Sequence, residues 1–417
     1  MTIASDYLFG LSPENFVEVD LASESLRQNF REIFPDWSTR RPFYVMQSGS
    51  PQVVISRYRD MKEVLTDTTR FTGKIQHNGE FNFAKFLPTK LMNVTSPPEM
   101  DGEDHARIRR LINPAFSPKS LANHLEMIKH SISRLVDNLR IIGPEVDIMS
   151  SLAEKLMPEI LLRNIFGLDE NQSECFVSMN QAVKLTAKIL PGQEFPDEYK
   201  KIFELAENAI NQLISNRRAS SNNDFINHLI QASDQGSALS DKELFDLIFN
   251  FCVGGIDTTT TTLGGSLFTL LQHKDAFQKV AKDLSLLPQS LEEAMRYHSA
   301  GIFLFTRYST SDTYIDGIFI PKGIPIVICH QAAAFDPNEY QQPEIFDIDR
   351  KPRNVPIFGL GSHVCPGSRL SRIVLLETLE QLIINFPEMK IADGNFIPVY
   401  GGEMGELQLK ELPVKLW

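Results

Sequence analysis

One cysteine, Cys365, lies in a glycine-rich loop that leads into an apolar-periodic run. Residues 358–367 read Phe-Gly-Leu-Gly-Ser-His-Val-Cys-Pro-Gly, and the run covers residues 370–386. Pro366 and Gly367 are suited to the start of a helix. Unpaired backbone N–H groups and the helix dipole favour negative charge there, so we expect a lowered thiol pKa and a thiolate. The alternative is a small buried hydrophobic side chain, a common role for free cysteine.

A predicted helix over residues 241–272 carries an acid next to a threonine. Its middle, residues 254–259, reads Gly-Gly-Ile-Asp-Thr-Thr. The two glycines cost about 2 kcal/mol relative to alanine, and threonine hydroxyls can bond carbonyls one turn back. We therefore expect this otherwise apolar, central helix to loosen here and leave a notch for a small ligand. Asp257 is either a structural acid paired with Lys or Arg, or half of an acid–alcohol pair with Thr258 that handles protons.

Two further spacings place charged side chains on shared helix faces. His105 and Arg109 are four residues apart in one predicted helix, and Glu293 and Arg296 are three apart in another. Taken alone, each pair also fits an exposed helix face, where ion pairs contribute little to stability. Arginine guanidinium groups match carboxylates well, so the first pair is also suited to an anionic group.

Together these features resemble the motifs of the cytochrome P450 superfamily. They occur in the order found in that superfamily, and the resemblance extends over nearly the whole chain. It implies a heme b cofactor (iron protoporphyrin IX) whose iron is ligated by the Cys365 thiolate. A thiolate ligand pushes electron density into the iron and favours O–O cleavage.

The resemblance also implies a role for each matching residue. Contacts to the heme or its propionates are expected from His105, Arg109, Arg307, Phe358, Gly359, His363, Cys365 and Gly367. Oxygen activation is expected from Thr258 and Asp257, and a structural network from Glu293, Arg296 and Arg350. The substrate pocket is expected to include Phe81, Phe83, Phe86, Gly254, Ile302 and Phe303, with a lid near residues 185–195.

Two departures from the superfamily pattern concern packing. Residues 333–337 read Ala-Ala-Phe-Asp-Pro where Asn-Arg often precedes Asp-Pro, and a proline often found after the Glu293–Arg296 helix is missing from residues 299–304. Neither position is expected to touch the chemistry.

The implied fold is mainly α, with a large helical body, a long central helix and small β-sheets in one domain over residues 1–417. The local patterns agree with this fold. Helical patterns dominate residues 101–297, and strand patterns occur at residues 43–47, 52–57, 303–308, 314–320, 324–329 and 408–416. Ser48-Gly49-Ser50 predicts a hairpin between the first two strand patterns, and Asp316-Gly317 predicts a turn within residues 314–320. Ser240 and Glu243 predict a capping box at the start of the helix over residues 241–272.

The composition indicates which cellular compartment and which classes of binding partner fit the chain. The net charge of −12 argues against nucleic acid as a partner, and four scattered cysteines without metal-ligand spacing fit a reducing cytoplasm. Residues 1–16 show no signal-peptide pattern, and the apolar segment 247–271 contains an acid and six threonines. That segment predicts a buried helix rather than a membrane span. We expect a cytoplasmic monomer without a membrane anchor.

Two stretches beside the cysteine loop are basic. Residues 351–376 and 105–125 contain no acid, and their cations are Lys351, Arg353, Arg369, Arg372, Arg107, Arg109, Arg110 and Lys119. Such patches predict docking of an acidic electron carrier, since opposite charges steer encounter. The expected donors are a ferredoxin and its NAD(P)H reductase.

The sequence leaves two functions open. The first is a monooxygenase that inserts one oxygen atom from O2 into an apolar small molecule. The second is a heme-thiolate protein that senses a ligand or carries out non-oxygenating chemistry such as peroxide use, dehydration or coupling. The intact Asp257–Thr258 pair favours the first, because a sensor or a peroxide user needs no proton relay. The phenylalanine-rich segment indicates an apolar ligand, although such stretches more often form core.

Overall fold

The chain folds into short and long helices with small sheets between them. The computed structural model describes residues 11–47, 49–74, 96–186, 196–220, 224–234, 237–351, 355–402 and 405–417. Within these residues the α-helices are α1 Glu24–Gln28, α2 Phe30–Trp37, α3 Tyr58–Thr66, α4 Gly102–Ile112, α5 Pro118–Ala122, α6 Leu125–Ile142, α7 Glu154–Met157, α8 Glu170–Thr186, α9 Asp197–Arg218, α10 Phe225–Gln231, α11 Asp241–Gly255, α12 Asp257–Gln272, α13 Lys274–Lys282, α14 Leu287–Tyr297, α15 His330–Ala333 and α16 Ser368–Asn385. Wider π-helical turns, Met149–Ala153 and Pro158–Ile165, flank α7.

The strands are short and gather from distant parts of the chain. They are β1 Phe43–Gln47, β2 Ser50–Ile55, β3 Phe71–Thr72, β4 Glu145–Asp147, β5 Ser233–Asp234, β6 Ser237–Ala238, β7 Arg307–Ser309, β8 Thr313–Ile315, β9 Ile318–Ile320, β10 Pro325–Ile328, β11 Lys390–Ile391, β12 Tyr400–Gly401, β13 Gln408–Leu409 and β14 Pro413–Lys415. The largest sheet has the order β1-β2-β10-β7-β3, and a second has the order β11-β14-β4. The expected mainly α fold with small sheets is confirmed.

Two predicted hairpins are found, and each has a turn that its residues favour. β1 and β2 pair antiparallel, and so do β8 and β9. The second hairpin turns at Asp316 and Gly317, whose φ angles are 47° and 76°. Positive φ at both central positions is the geometry that an Asp-Gly pair supplies. Glycine is required there, since a side chain at Gly317 would also meet the guanidinium of Arg41.

Helix α12 forms the centre of the main hydrophobic core. Every residue from Thr259 to Leu271 is buried, and the helix packs against α7, α14, α16 and β13. One close approach depends on a missing side chain, because a Cβ on Gly265 would lie 2.9 Å from the ring of His298. Among the described residues, no helix combines the length and the apolar composition needed to cross a membrane.

The predicted single helix over residues 241–272 is two helices, α11 and α12, divided at Ile256. The start was predicted well, since Ser240 and Glu243 close a full capping box. The prediction of one continuous helix is therefore wrong. The helix was expected to loosen here, and it is instead interrupted. Thr258 Oγ1 donates to the carbonyl of Gly254 at 2.6 Å, and the ψ angle of Ile256 is −65°. The Gly-Gly pair and the hydroxyl that competes for a backbone carbonyl account for the break.

Candidate active site

The Cys365 loop is held open by glycines and leads directly into α16. The Cys365 N–H donates to the Phe358 carbonyl at 2.9 Å, which closes the loop on itself. Gly361 has a φ of 72°, and a side chain there would meet the Leu65 carbonyl carried by α3. The predicted helix start is found, because α16 begins at Ser368, one residue after Gly367. The loop presents Cys365 with an exposed surface.

The pKa of the Cys365 thiol is raised above its ordinary value. Protein atoms packed around the sulfur desolvate it, although the residue opens onto the cleft. The N–H groups of Gly367 and Ser368 and the charge of Arg109 lower the pKa, but by less. The prediction of a lowered pKa is therefore wrong for the protein alone. Coordination to a metal ion would itself remove the proton.

Imidazole and guanidinium groups gather beside the loop around one carboxylate. The rings of His105, from α4, and His363 stack with centroids 4.0 Å apart. His363 Nε2 lies 3.3 Å from Asp101 Oδ1, and Asp101 also accepts from Thr72 Oγ1 and, at 2.8 Å, from the N–H of Gly73. Burial opposes the charge of Asp101, but these hydrogen bonds hold its pKa down to about 2.

The cations of this cluster are partly desolvated. Burial, with smaller contributions from the nearby His363 and Arg109, lowers the pKa of His105 to about 4. Burial also lowers the pKa of Arg307, which starts β7, and of Arg109, while the nearby Asp101 and Cys365 respectively oppose those shifts. One carboxylate thus faces two guanidinium groups and two imidazoles, an arrangement suited to a further anionic group.

The break between α11 and α12 produces the expected notch. Gly254 and Thr258 are exposed, although they lie on an otherwise buried pair of helices. A Cβ on Gly254 would meet nothing within 4 Å, so this side of the helix faces open space. Thr259 Oγ1 lies 3.3 Å from Ser371 Oγ and thereby connects the notch to the first turn of α16.

Asp257 has the cationic partner that a structural acid would need. Its Oδ2 accepts from Lys184 Nζ at 3.0 Å and from Asn180 Nδ2, both on α8. Lys184 Nζ also lies 2.9 Å from Oε2 of Glu406. Asp257 Oδ1 takes no hydrogen bond from a described residue, so half of the carboxylate stays available for proton chemistry.

The expected network of Glu293, Arg296 and Arg350 is present as a set of contacts. Arg296 donates to both oxygens of Glu293, each at 2.8 Å, and Arg350 Nε donates to Oε1 at 3.0 Å. Arg296 also donates to the Ala334 carbonyl at 2.7 Å. The contacts fix α14 against the segment that precedes the cysteine loop.

The predicted pocket residues fall in different places. Phe81, Phe83 and Phe86 lie outside the described residues, as does most of the predicted lid over residues 185–195. Ile302 is buried in the main core, whereas Phe303 is half-buried and packs close to Gly405. Among the described candidates, Gly254 faces open space, and the pocket roles of Ile302 and Phe303 stay predictions.

Three of the cations in the two stretches predicted to be basic patches are paired with acids that lie outside those stretches. Arg107 pairs with Glu243, Arg110 with Glu103, and Arg372 with Glu292. An acid-free stretch of sequence is thus not an acid-free surface, because the first turn of α4 and two distant helices, α11 and α14, supply the counter-charges. Arg369, Lys119 and Lys351 differ, since they are exposed and no described residue forms an ion pair with them, and Arg353 lies outside the described residues.

Sequence reasoning missed the partners of the site residues. Asp101, Asn180, Lys184 and Glu406 carried no motif of their own. The one available signal was the requirement that an acid such as Asp257 in an apolar helix have a cation nearby. That requirement does not identify the partner residue, because α8 and the segment of Glu406 are brought next to the α11–α12 break only by the tertiary fold.

Comparison with known proteins shows the family. The sequence pattern of the family described as Cytochrome P450 matches residues 17–416. The polyketide biosynthesis cytochrome P450 PksS of Bacillus subtilis (strain 168) is 29% identical over 350 residues, which cover 82% of this chain and 83% of that protein. The mycinamicin IV hydroxylase/epoxidase of Micromonospora griseorubida is 26% identical over 344 residues, covering 82% and 84%.

A comparison with solved structures points to the same family. The Bacillus subtilis 168 bacillaene polyketide synthase cytochrome P450 PksS has a TM-score of 0.80 at 27% identity, over 94% of this chain and 96% of that chain. The chain therefore belongs to the cytochrome P450 family. It is a P450 monooxygenase, an oxidoreductase of the kind that its relatives' names describe as hydroxylases and epoxidases.

The family implies a heme cofactor, and the residues present fit one. Cys365 has an exposed surface, and a Cβ on Gly254 would meet nothing within 4 Å, so both positions leave room for a further group. His363 Nδ1 is buried without a hydrogen-bond partner among the described residues, which leaves a donor or acceptor for an incoming group. The surplus of cations over the single Asp101 suits the two carboxylates of a porphyrin.

Proposed function

We propose that the protein hydroxylates or epoxidises an apolar small molecule with O2 and two electrons from a ferredoxin and its NAD(P)H reductase. The observation that carries the proposal is the break at Ile256, which exposes Gly254 and Thr258 on an otherwise buried helix pair. In a hydroxylation, a C–H bond and the O–O bond break, and one oxygen atom enters the new C–O bond. Two electrons and two protons reduce the other oxygen atom to water.

The cofactor is heme b in this proposal, and five groups of this chain would hold it. Cys365 would bind the iron, while Arg109, Arg307 and the imidazoles of His105 and His363 would bind the propionates. The heme, when bound, supplies the iron at which O2 is activated. Phe358, Gly359 and Gly367 shape the loop on the thiolate side, and the guanidinium of Arg372 lies 4.4 Å from the Phe358 ring centre.

Protons would reach the site through the acid–alcohol pair. The Thr258 hydroxyl donates to a backbone carbonyl at 2.6 Å and can hold a water on its open side. Asp257 offers Oδ1 for proton transfer while Lys184 and Asn180 fix Oδ2. Glu293, Arg296 and Arg350 act only on shape, because they lie in the packed region beneath the cysteine loop.

The electron donor would dock near Arg369. This residue follows Cys365 by four positions, is exposed, and has no acid partner among the described residues. Arg107, Arg110 and Arg372 contribute less attraction, because their charges are already paired.

Oxygen-18 labelling of the product tests the proposal. Apolar compounds, with polyketides first because one relative is named for polyketide biosynthesis, are screened for a shift of the heme Soret band on binding. Compounds that shift the band are then incubated with NADH, a surrogate ferredoxin and reductase, and ¹⁸O2. We expect one ¹⁸O atom per product and NADH consumption that depends on the compound. Product formed with peroxide but not with NADH and O2 would favour the non-oxygenating or peroxide-using alternative.

A further inference from the structure

The segment that connects α14 to β7 runs through residues 298–306 without a regular helix or strand. The superfamily pattern often has a proline here, and this chain has none between Ser299 and Leu304. Proline restrains the backbone by fixing its own φ angle, so a chain without it must restrain the segment in another way or leave it mobile. The predicted pocket residues Ile302 and Phe303 belong to this segment, so its restraint bears on the pocket wall.

The buried amide of Gln331, on α15, restrains the segment from one side. Gln331 has no exposed surface. Its Oε1 accepts from the Ser299 N–H at 2.7 Å and lies within hydrogen-bond reach of the Ser299 hydroxyl, and its Nε2 donates to the Arg296 carbonyl at 3.3 Å. Its own N–H donates to the Ile302 carbonyl at 3.4 Å. One residue thus contacts the last turn of α14 and two positions of the segment.

Both ends of the Gln331 amide bind groups that need a partner. The Arg296 carbonyl is one of the last four of α14, which have no partner within the helix. The Ser299 N–H lies beyond the helix and makes no backbone–backbone hydrogen bond among the described residues. An apolar side chain at position 331 would leave this donor and this acceptor unpaired in the interior. Their desolvation cost would then favour any movement of the segment that brings them to water.

Backbone pairing holds the segment from the other side. The Ile302 N–H donates to the Gly405 carbonyl at 2.7 Å, and the Leu407 N–H donates to the Ala300 carbonyl at 3.0 Å. A Cβ on Gly405 would lie 3.0 Å from the ring of Phe303. These contacts join the segment to residues 405–407, which lie in a short connection before β13, whereas Gln331 ties it to the helices α14 and α15.

We propose that Gln331 is a positioning residue that takes the place of the missing proline. It fixes the backbone of residues 299–303 and thereby sets the shape of the pocket wall at Ile302 and Phe303. The proposal rests on the proposed function, because it concerns the wall that an apolar substrate would contact. Gln331 acts only through the segment, since its side chain is fully buried and bonded to backbone groups. Moving a wall by about 1 Å is enough to misplace a substrate, so we expect selectivity to depend on this amide.

The restraint is tested first in the substrate-free holoenzyme by amide hydrogen exchange. Gln331→Met keeps the size of the side chain and removes both hydrogen bonds of the amide. We expect the Ser299 and Ile302 N–H groups to exchange about tenfold faster, in keeping with the loss of ordinary hydrogen bonds. Gln331→Asn keeps an amide that is too short to reach both partners, and it should give a smaller rise. Wild-type exchange in both variants would overturn the restraint.

Two further variants separate this restraint from general loosening of α14. Gln289→Met removes another amide of α14, which donates to the Ile348 carbonyl, and should leave exchange at residues 299–302 unchanged. Ala300→Pro, added to Gln331→Met, restores a fixed φ at a position whose N–H makes no backbone–backbone hydrogen bond among the described residues. The double variant should exchange more slowly than Gln331→Met. Equal acceleration in Gln289→Met and Gln331→Met would overturn the specific role of Gln331.

The wall itself is probed with two ligands of heme iron, imidazole and 4-phenylimidazole. Both bind through a ring nitrogen and shift the Soret band, but only the second carries a ring that extends toward the wall. Gln331→Met should change the ratio of the two dissociation constants several-fold, with imidazole alone bound as in wild type. Gln289→Met should keep the wild-type ratio. An unchanged ratio in Gln331→Met would refute the positioning role.

Selectivity is measured on the compounds that the Soret screen identifies as substrates. Gln331→Met should change the ratio of ¹⁸O-labelled products several-fold, whereas Gln289→Met should keep it. Identical product ratios in Gln331→Met and wild type would refute the effect on selectivity. If wild type forms no oxygenated product from any of these compounds, the proposed function fails instead, and the exchange and ligand results still stand.

Discussion

Arg296 meets Glu293 through two hydrogen bonds of 2.8 Å, and neither side chain has any exposed surface. A third bond, from Arg350, reaches the same carboxylate at 3.0 Å. Both guanidinium groups therefore depend on the one carboxylate of Glu293 for their counter-charge. Removing one member of such a buried group is far more harmful than removing a surface ion pair.

Glu293→Gln should therefore destabilise the protein by about 3–5 kcal/mol, because it leaves buried cations without a counter-charge. Asp36→Asn is the matched control, since Asp36 pairs with Arg40 where both side chains are about half exposed. That change should cost less than about 1 kcal/mol. Urea unfolding of both variants and wild type measures the difference, and similar losses would contradict the buried-network interpretation.

Cys365→Ser should abolish thiolate ligation of heme iron. The ferrous–CO complex of wild type should show the strongly red-shifted Soret band of a thiolate ligand, and the variant should not. Cys252 and Cys329 are buried away from the loop, so Cys252→Ala and Cys329→Ala should keep the band. Retention of the band in Cys365→Ser would refute the assignment of the iron ligand.

Thr258→Ala should uncouple electron consumption from product formation. The variant should still bind substrate and consume NADH, but product per NADH should fall several-fold while peroxide accumulates. Thr262→Ala is the control, because Thr262 makes the same hydroxyl-to-carbonyl bond, at 2.7 Å, from a buried position. Equal product per NADH in both variants would remove Thr258 from the mechanism.

In the same assay, Asp257→Asn should slow turnover more than it lowers product per NADH. The amide keeps the size of the carboxylate and loses the proton-accepting charge. A fall in product per NADH as large as that of Thr258→Ala, with turnover unchanged, would contradict the role of Asp257 in proton transfer.

Buried histidines should make the protein sensitive to acid. Burial lowers the pKa of His298 and of His330 from 6.5 to about 3, and neither ring nitrogen of His330 has a partner among the described residues. Between pH 6.5 and about 3 the unfolded chain binds protons at these sites and the folded chain does not, so stability falls as the pH falls. Each histidine should cost about 2 kcal/mol by pH 5.

His330→Leu should remove about 2 kcal/mol from the loss of unfolding free energy between pH 7 and pH 5. His130→Gln changes an exposed histidine on α6 and should leave that loss as in wild type. Urea unfolding at the two pH values measures both. A full wild-type loss in His330→Leu would show that other groups control acid unfolding.

Charge reversal at Arg369 should raise the ferredoxin concentration needed for reduction and flatten its salt dependence. The attraction is a surface effect, and it should fade as the Debye length falls from about 10 Å at 0.1 M salt to about 3 Å at 1 M. Lys282→Glu, at the exposed end of α13, is the control. Identical salt slopes for wild type and Arg369→Glu would place docking elsewhere.

The sequence predicted what local chemistry dictates. The capping box at Ser240, the Asp-Gly hairpin turn and the helix start after Gly367 all depend on neighbouring residues, and all are found. The notch at Gly254 was also predictable, because two glycines and a run of threonines weaken a helix wherever it lies. The superfamily motifs predicted the fold that the comparisons show.

The rest depends on contacts between distant segments. The pairing of Arg372 with Glu292 and the sharing of Lys184 between Asp257 and Glu406 follow from helix packing and leave no periodic pattern. The thiol pKa of Cys365 was predicted in the wrong direction for the same reason. Local N–H groups are visible in the sequence, but the protein atoms that desolvate the sulfur are not.

The pairing of early strands with late ones has a consequence for synthesis on the ribosome. β2 joins β10 in parallel, and β4 joins β14, so each pair bridges more than half of the chain. Pairing across such separations is slow, because closing a long loop costs conformational entropy before any stabilising contact forms. The N-terminal half therefore leaves the ribosome before its sheets can be completed. Cys365 likewise follows β2 and β4 by more than half of the chain, so the loop that would bind the heme iron emerges late and cofactor capture is a late event in the life of each new chain.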